Sequence, residues 1–324
     1  MPRPIGTSVI EKILRPAVLS LAEDTVRQRK LKFRLFANWC HVHGCDSVPA
    51  SSEMVALFLA DMADRYRPSS VAVILQAIAL AHRAARKPFD SRLFTPIMQG
   101  IRRAHGSAPR GPAPITLGEL RGMVGALPDT MLGVRDRALL LVGFAGALRR
   151  SELIGLDIGA ATQDGKGSVE IDGRGARIVL HRSKSDQLGR GLTKWLPRGC
   201  SPCPVEALEC WLRRARITSG PVFRPVYGGA SRRLAIKTVS YVVRRTIHRA
   251  ALQAGSSEEQ ARLRAAQVTS HSLRAGFVRS AVLAGVPSED IAAHVGWKGT
   301  GLVFHYAGEL DPFKDNPAQL VLGL

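Results

Sequence analysis

The sequence predicts a mainly α protein of two domains, the second carrying a small antiparallel β-sheet. Three observations predict it. Apolar residues in the first hundred positions recur at helical spacing only. His105 to Pro114 (His-Gly-Ser-Ala-Pro-Arg-Gly-Pro-Ala-Pro) packs too many helix breakers to join either neighbouring helix. Period-two alternation appears in one region alone, between Val169 and Leu196. The expected division is therefore 1–106, a linker at 107–115, and 116–324.

In the first domain, Val26, Phe33, Phe36 and Cys40 share one face of a helix that runs to His43, before Gly44. Ser51 opens a second helix through Val55, Phe58, Leu59 and Met62. Pro68 opens a third through Val71, Ile74, Ile78 and Ala81, ending in the basic residues Arg83, Arg86 and Lys87. Thr95-Pro96 starts a short fourth that ends at Arg102-Arg103.

The second domain opens on a capping box, Thr116 to Glu119. A long apolar helix from about Asp129 reaches Gly146, and Arg149-Arg150 follow it with Glu152 three residues beyond Arg149. Arg149 and Glu152 would share a helical face, which suits a structural ion pair as well as a functional one. Val169 and Ile171, a Gly-containing turn, and Ile178 to Leu180 read as a hairpin, with a third strand at Thr193–Leu196. Lys184 lies in the loop between them, either solvated or reaching into a groove as a cationic acid. Helices resume at Pro204–Arg216 and at about Ile236–Ala254. The latter sets Lys237, Arg244 and Arg245 beside Val239, Val243 and Ile247.

Composition narrows the function. Across 324 residues, Lys+Arg 46 against Asp+Glu 26 leaves +20, with a pI near 10.8. A polyanionic partner is the first expectation, and four short helices with basic ends fit a DNA-gripping bundle. Five cysteines without regular spacing argue against a disulfide framework and for a reducing compartment. Cys200-Ser-Pro-Cys203 stands alone, without a second pair at zinc-ribbon distance, so Pro204 reads as a helix first-turn residue. Met1-Pro-Arg-Pro has no apolar run behind it, and no apolar stretch reaches the ~18–20 residues needed to cross a bilayer. A soluble, cytoplasmic, nucleoid-associated protein without membrane contact is expected.

The chemistry concentrates between His271 and Tyr306. His271, Arg274, Trp297 and Tyr306 bring imidazole, guanidinium, indole and phenol into one stretch of short helices. Such a set can surround one phosphate. Phosphoryl transfer needs an in-line nucleophile, positive charge on the equatorial oxygens and a proton for the leaving oxygen. A phenol titrates near ~10, so it serves as nucleophile only where cations favour the phenolate and a base takes its proton. His271 fits the base and Arg274 one such cation. Taken singly, each of these residues reads better as packing.

Taken in order they resemble a family. Gly146-Ala-Leu-Arg149-Arg-Ser-Glu152-Leu, Lys184 after a hairpin strand, His271-Ser-Leu-Arg274, Gly296-Trp297 and Tyr306 are similar to the tyrosine site-specific recombinases, or phage integrases. Trp297, where many members carry a second histidine, resembles the Cre branch. Arg150 departs from the usual apolar residue of the first motif, and Arg149 is preferred for its spacing to Glu152. His294 and His305 flank the motifs, the first as a helix-terminal residue and the second near the phosphate.

The resemblance implies a helical core-binding (SAM-like) domain at 1–106 and a mostly helical catalytic domain with a small sheet at 116–324. The two would clamp duplex DNA. Tyr306 would form a 3′-phosphotyrosyl bond, Arg149 and Arg274 hold the non-bridging oxygens, and Lys184 protonate the leaving 5′ oxygen. His271 would act as base, Trp297 would hydrogen-bond at the phosphate and Glu152 would fix Arg149 or His271. Two guanidiniums and a lysine supply the charge a divalent ion would bring, so no metal or nucleotide cofactor is expected. A segment beginning at Asn316-Pro317 would either dock into a neighbouring protomer, giving a homotetramer on paired sites, or pack on its own domain, with an accessory directionality factor left open. Type IB topoisomerase activity and a non-catalytic DNA-binding regulator are the alternatives. Arg83, Arg86, Lys87, Lys237, Arg244 and Arg245 are the expected DNA contacts.

Overall fold

The computed structural model describes residues 23–106, 111–159, 162, 164–181, 191–199, 201–227, 232–307 and 321. The chain divides into two compact units, Met1–Arg110 and Gly111–Leu324.

The first unit holds four α-helices, α1 (Glu23–Val42), α2 (Ser52–Ala63), α3 (Pro68–Ala84) and α4 (Thr95–His105). Ser51 caps α2 by accepting a bond from the Met54 amide at 3.3 Å. Pro68 sits in the first turn of α3, where its missing N–H costs nothing. The faces read from the sequence converge: Phe33, Phe36, Phe58, Ile74 and Ile78 form one buried cluster. Phe36 and Phe58 meet with ring centroids 5.0 Å apart. Inside this cluster lies a histidine that periodicity alone does not flag. His82 is fully buried, accepts from the Ala50 amide at Nε2 (2.9 Å), and has Nδ1 2.9 Å from the Ile78 carbonyl. Burial holds its pKa below the usual 6.5.

The second unit begins with α5 (Leu117–Gly125), closed by the full Thr116–Glu119 capping box. Next come α6 (Met131–Ala145) and the one-turn α7 (Arg150–Ile154). Five strands follow, β1 (Leu156–Ile158), β2 (Gly167–Ile171), β3 (Gly175–Leu180), β4 (Leu192–Pro197) and β5 (Gly220–Pro221). The chain is completed by α8 (Pro204–Arg214), α9 (Ile236–Gln253), α10 (Glu258–Gln267), α11 (His271–Leu283), α12 (Ser288–Val295) and α13 (Gly301–Ala307). The strands form one sheet ordered β4-β3-β2-β1-β5. Its pairings are antiparallel as expected, with one addition: β1 pairs parallel to β2, and β5 extends the sheet beyond β1.

Leu139, Leu140, Val142, Leu208, Trp211, Phe223, Val243 and Ile247 belong to the large core of this unit. Trp211 spends its indole N–H on the Val222 carbonyl at 2.8 Å, so its burial leaves no donor unmet. Charge is also buried where it is paired. Arg233 bonds Asp157 (2.9 Å), Asp164 and Thr162, and reaches the carbonyls of Ile154 and Leu156, which fixes β1 behind α7. Asp136, fully buried, takes Arg135 on one oxygen and Arg245 on the other.

That second pair engages one of the expected DNA contacts. Arg245, with 34 % of its side chain exposed, bonds Asp136 and lies over the Tyr241 ring. Cys203 is buried and directly precedes α8 with Pro204 in the first turn, which is the helix-start reading of that segment. Cys200, Lys184 and the segment from Asn316 to Leu320 lie outside the described residues.

Helix α11 approaches the linker end so closely that one residue must lack a side chain. A Cβ on Gly276 would sit 2.0 Å from the Ile115 carbonyl oxygen. Gly276→Ala should destabilise the second unit by about 1–3 kcal/mol or more, because backbone and not a flexible side chain has to yield. Urea denaturation of the full chain checks this.

His82 carries a pH expectation. Its folded pKa lies below 6.5, so the unfolded chain binds the extra proton first. The first unit should hold full stability above pH 6.5 and lose it as pH falls toward the depressed value. Hydrogen exchange at the Ala50 amide as a function of pH reads it, and His82→Gln should flatten the dependence.

Candidate active site

The site is assembled around the C-terminal end of α6. That end presents unsatisfied carbonyls, the negative pole of the helix, and two cationic or donor side chains from later in the chain fill them. His294 of α12 donates from Nε2 to the Ala145 carbonyl at 2.8 Å. Arg274 of α11 donates from Nη1 to the Ala147 carbonyl at 2.7 Å. Ala147 is fully buried and sits in the left-handed region with φ 44°. A non-glycine residue in that conformation stores strain, and here the strained peptide is the one that aims its oxygen at Arg274.

Arg149 precedes α7 as its cap residue, with extended backbone. It shares a turn with Glu152 not as two helical neighbours but as cap and third residue. Glu152 accepts from the Arg149 amide through Oε2 at 2.8 Å and from its Nη1 through Oε1 at 2.6 Å. Glu152 is buried and Arg149 partly exposed, so the carboxylate holds the guanidinium from behind. Arg150 is exposed.

Arg274 is 1 % exposed, and its Nη2 has no hydrogen-bond partner among the described residues. Burial, and then the neighbouring Arg149, hold its pKa down to about 10, with Glu152 and Tyr306 opposing. A buried guanidinium with an unmet donor and another guanidinium beside it is a site prepared for an anion. The indole of Trp297 covers it, with the guanidinium carbon 5.3 Å from the ring centroid.

Tyr306, on α13, completes the arrangement. Its hydroxyl lies 2.6 Å from His271 Nε2, and its ring stacks on Trp297 with centroids 5.3 Å apart and planes at 25°. Burial, then Arg274, Arg149 and Arg150, lower the His271 pKa, so its imidazole is neutral at physiological pH. With the proton on Nδ1, Nε2 accepts from the phenol, the geometry of a general base. Val278, Ile291, Val295 and Val303 form the small apolar cluster that seats Trp297 and Tyr306.

Six of the seven residues expected to carry the chemistry are thus brought together, from α6–α7, α11, α12 and α13: Arg149, Glu152, His271, Arg274, Trp297 and Tyr306. Lys184 lies outside the described residues. His305 is exposed and meets Tyr306 edge-on. One residue of the neighbourhood was not anticipated. Lys194 on β4 is buried, and Arg274, Glu152 and Arg149 all act on its charge. The strand alternation held the signal, since Lys194 falls on the same face as Leu192 and Leu196.

Of the expected DNA contacts, Arg83, Arg86 and Lys87 are exposed at the end of α3, and Lys237 and Arg244 are exposed on α9. Arg244 also donates from Nε to the Val268 carbonyl at 3.0 Å. In the first unit a cavity of about 380 Å³ is lined by Arg29, Arg83 and Arg102 together with Gln76, Ser91 and Thr95. Sequence reasoning placed Arg83 and Arg102 on helix ends but not in one groove.

No protein-family model matches the chain. Among curated proteins it is 32% identical over 308 residues to the integrase/recombinase xerD homolog of Selenomonas ruminantium, covering 92% of this chain and 85% of that protein. It is 29% identical over 167 residues to the tyrosine recombinase XerD of Yersinia pestis, covering 50% of this chain and 53% of the relative. In fold it is similar to the XerH site-specific recombinase bound to its palindromic difH substrate, with TM-score 0.64 and 13% identity over 98% of this chain and 84% of that one. The chain belongs to the tyrosine recombinase family, enzymes that cleave and rejoin DNA at specific sites.

Proposed function

We propose that Tyr306 attacks a scissile phosphate held by Arg149 and Arg274, with His271 as its base. The observation that carries this is the 2.6 Å contact between the phenol and a neutral imidazole, beside a buried arginine with an unmet donor. As the Tyr306 oxygen bonds phosphorus, its proton passes to His271 Nε2. The bond from phosphorus to the 5′ oxygen breaks, and the leaving oxygen takes a proton from Lys184, which is assigned that part on its sequence position. The product is a 3′-phosphotyrosyl ester and a free 5′-hydroxyl. Because the ester keeps the energy of the broken bond, attack by another 5′-hydroxyl rejoins the strand without a nucleotide triphosphate. Trp297 sandwiches the phenol and shields Arg274, while Glu152 keeps Arg149 at the mouth of the site.

The DNA partner is gripped by charge. Arg83, Arg86 and Lys87, with the groove lined by Arg29 and Arg102, form the backbone-contacting surface of the first unit, in the manner of a core-binding domain. Lys237 and Arg244 serve the second. These contacts position the duplex and make binding steeply salt-dependent. Leu302 and Phe304 expose apolar side chains on α13, next to the nucleophile. That surface supports contact between protomers at this end of the fold and hence the homotetramer on paired sites.

Two outcomes test this reading. With a library of nicked suicide duplexes, the wild type should form a protease-sensitive covalent adduct, and Tyr306→Phe should lose it while shifting the same duplexes in a gel. Adduct formation by Tyr306→Phe would reject the nucleophile. The His271 pKa is lowered from 6.5, so the acid limb of single-turnover cleavage should fall below pH 6.5, with full rate above it. His271→Gln should reduce the rate about 10²–10⁴-fold and remove that limb.

A further inference from the structure

Strand β4 and the end of α12 meet at two points beside the site. Leu192 packs on Gly296, where a Cβ would lie 2.4 Å from Leu192 Cδ2. Two residues on, Lys194 points inward at 2 % exposure and donates from Nζ to the carbonyl of His294, in the last turn of α12. The chain then turns through Gly296, at φ 82°, into Trp297, whose amide bonds the Ala292 carbonyl at 2.8 Å. Lys194 therefore ties the sheet to the residue pair that carries the indole over Tyr306.

The groups facing its ammonium are few. Arg274 from α11 and Arg149 before α7 are cationic, Glu152 from α7 is the anion, and His294 from α12 is half-buried, its pKa lowered mainly by desolvation. Glu152 is already committed to Arg149 through both oxygens. Burial, then Arg274, bring Lys194 down to about 7, with Arg149 adding to the effect and Glu152 opposing it. The acceptor of its ammonium is a neutral carbonyl, so nothing in that contact neutralises the charge it carries.

We propose that Lys194 is a positioning residue for strand transfer. Its ammonium clamps the end of α12 that presents Trp297, and it takes up a proton when an oxyanion occupies the site between Arg149 and Arg274. The phosphate thus tightens the clamp that orders its own surroundings. This rests on the phosphate-binding reading of the site, but its test reads no strand cleavage.

The probe is sulfate, which keeps one charge state across the range used. Thermal melting of the full chain is compared in sodium sulfate and sodium chloride at equal ionic strength, at pH 7 and pH 9. In the wild type, sulfate should stabilise more at pH 7 than at pH 9, since the proton is harder to acquire at the higher pH. In Lys194→Met and in Lys194→Arg, which is charged at both, the sulfate effect should be the same at the two pH values. In Lys194→Met the amides of Gly296 and Trp297 should exchange roughly tenfold faster than in the wild type. A pH-invariant sulfate effect in the wild type, wild-type pH dependence in either variant, or unchanged exchange would overturn the proposal. Arg149→Ala separates the two levels. If sulfate stabilises wild type and Arg149→Ala alike, the phosphate reading itself fails. If Arg149→Ala loses a sulfate effect that is pH-invariant in wild type, only the role of Lys194 falls.

Discussion

The structure of the catalytic unit depends on one guanidinium that folding has left incompletely satisfied. Taking a cation out of water costs several kcal/mol, and a protein recovers that only with a full set of partners. Arg274 has the Ala147 carbonyl and the face of Trp297, yet its second amino group points at nothing among the described residues. On the proposed function, an oxyanion entering the site supplies the missing partner. Binding energy for the reacting group would then be stored in the fold before DNA arrives, which is how electrostatic preorganisation works.

Local sacrifices elsewhere hold that arginine in place. Gly276, two residues along α11, gives up a side chain so that the helix can press on the Ile115 carbonyl. Ala147 accepts a left-handed backbone so that its oxygen faces Arg274. Glu152 is buried to position Arg149, and the half-buried His294 plugs the end of α6. Each choice is unfavourable alone, and all are spent on the same few cubic ångströms. The proposed nucleophile needs little more. Tyr306 lies between a neutral imidazole and an indole, on a short helix held by a small apolar cluster.

The helices are legible in local spacing, and the ordered set of site residues in the resemblance to the tyrosine recombinases. The helices of the first unit follow from apolar periodicity, with Ser51 and Pro68 marking two of the starts. Arg149, Glu152, His271, Arg274, Trp297 and Tyr306 were readable as an ordered set. What stayed hidden involves residues that meet across long stretches of chain. Strands β1 and β5 span three residues and two, too short for alternation to show. Arg233 reaches acids some 70 positions earlier, and Asp136 pairs with Arg245 from 109 positions away. An amphipathic helix shows that a cation lies off the apolar face; it does not show which carboxylate waits there. Lys194 lies on the inward face of β4 by alternation, but lysine is seldom buried and the pattern alone does not single it out.

We propose that the unmet donor of Arg274 holds the reacting phosphate. The most direct measurement is a crystal structure of the covalent complex trapped on a suicide duplex. The account predicts a non-bridging oxygen hydrogen-bonded to Arg274 Nη2 and another to Arg149, with the ester on Tyr306. A phosphotyrosyl group bound away from Arg274, with Nη2 still unpartnered, would contradict it.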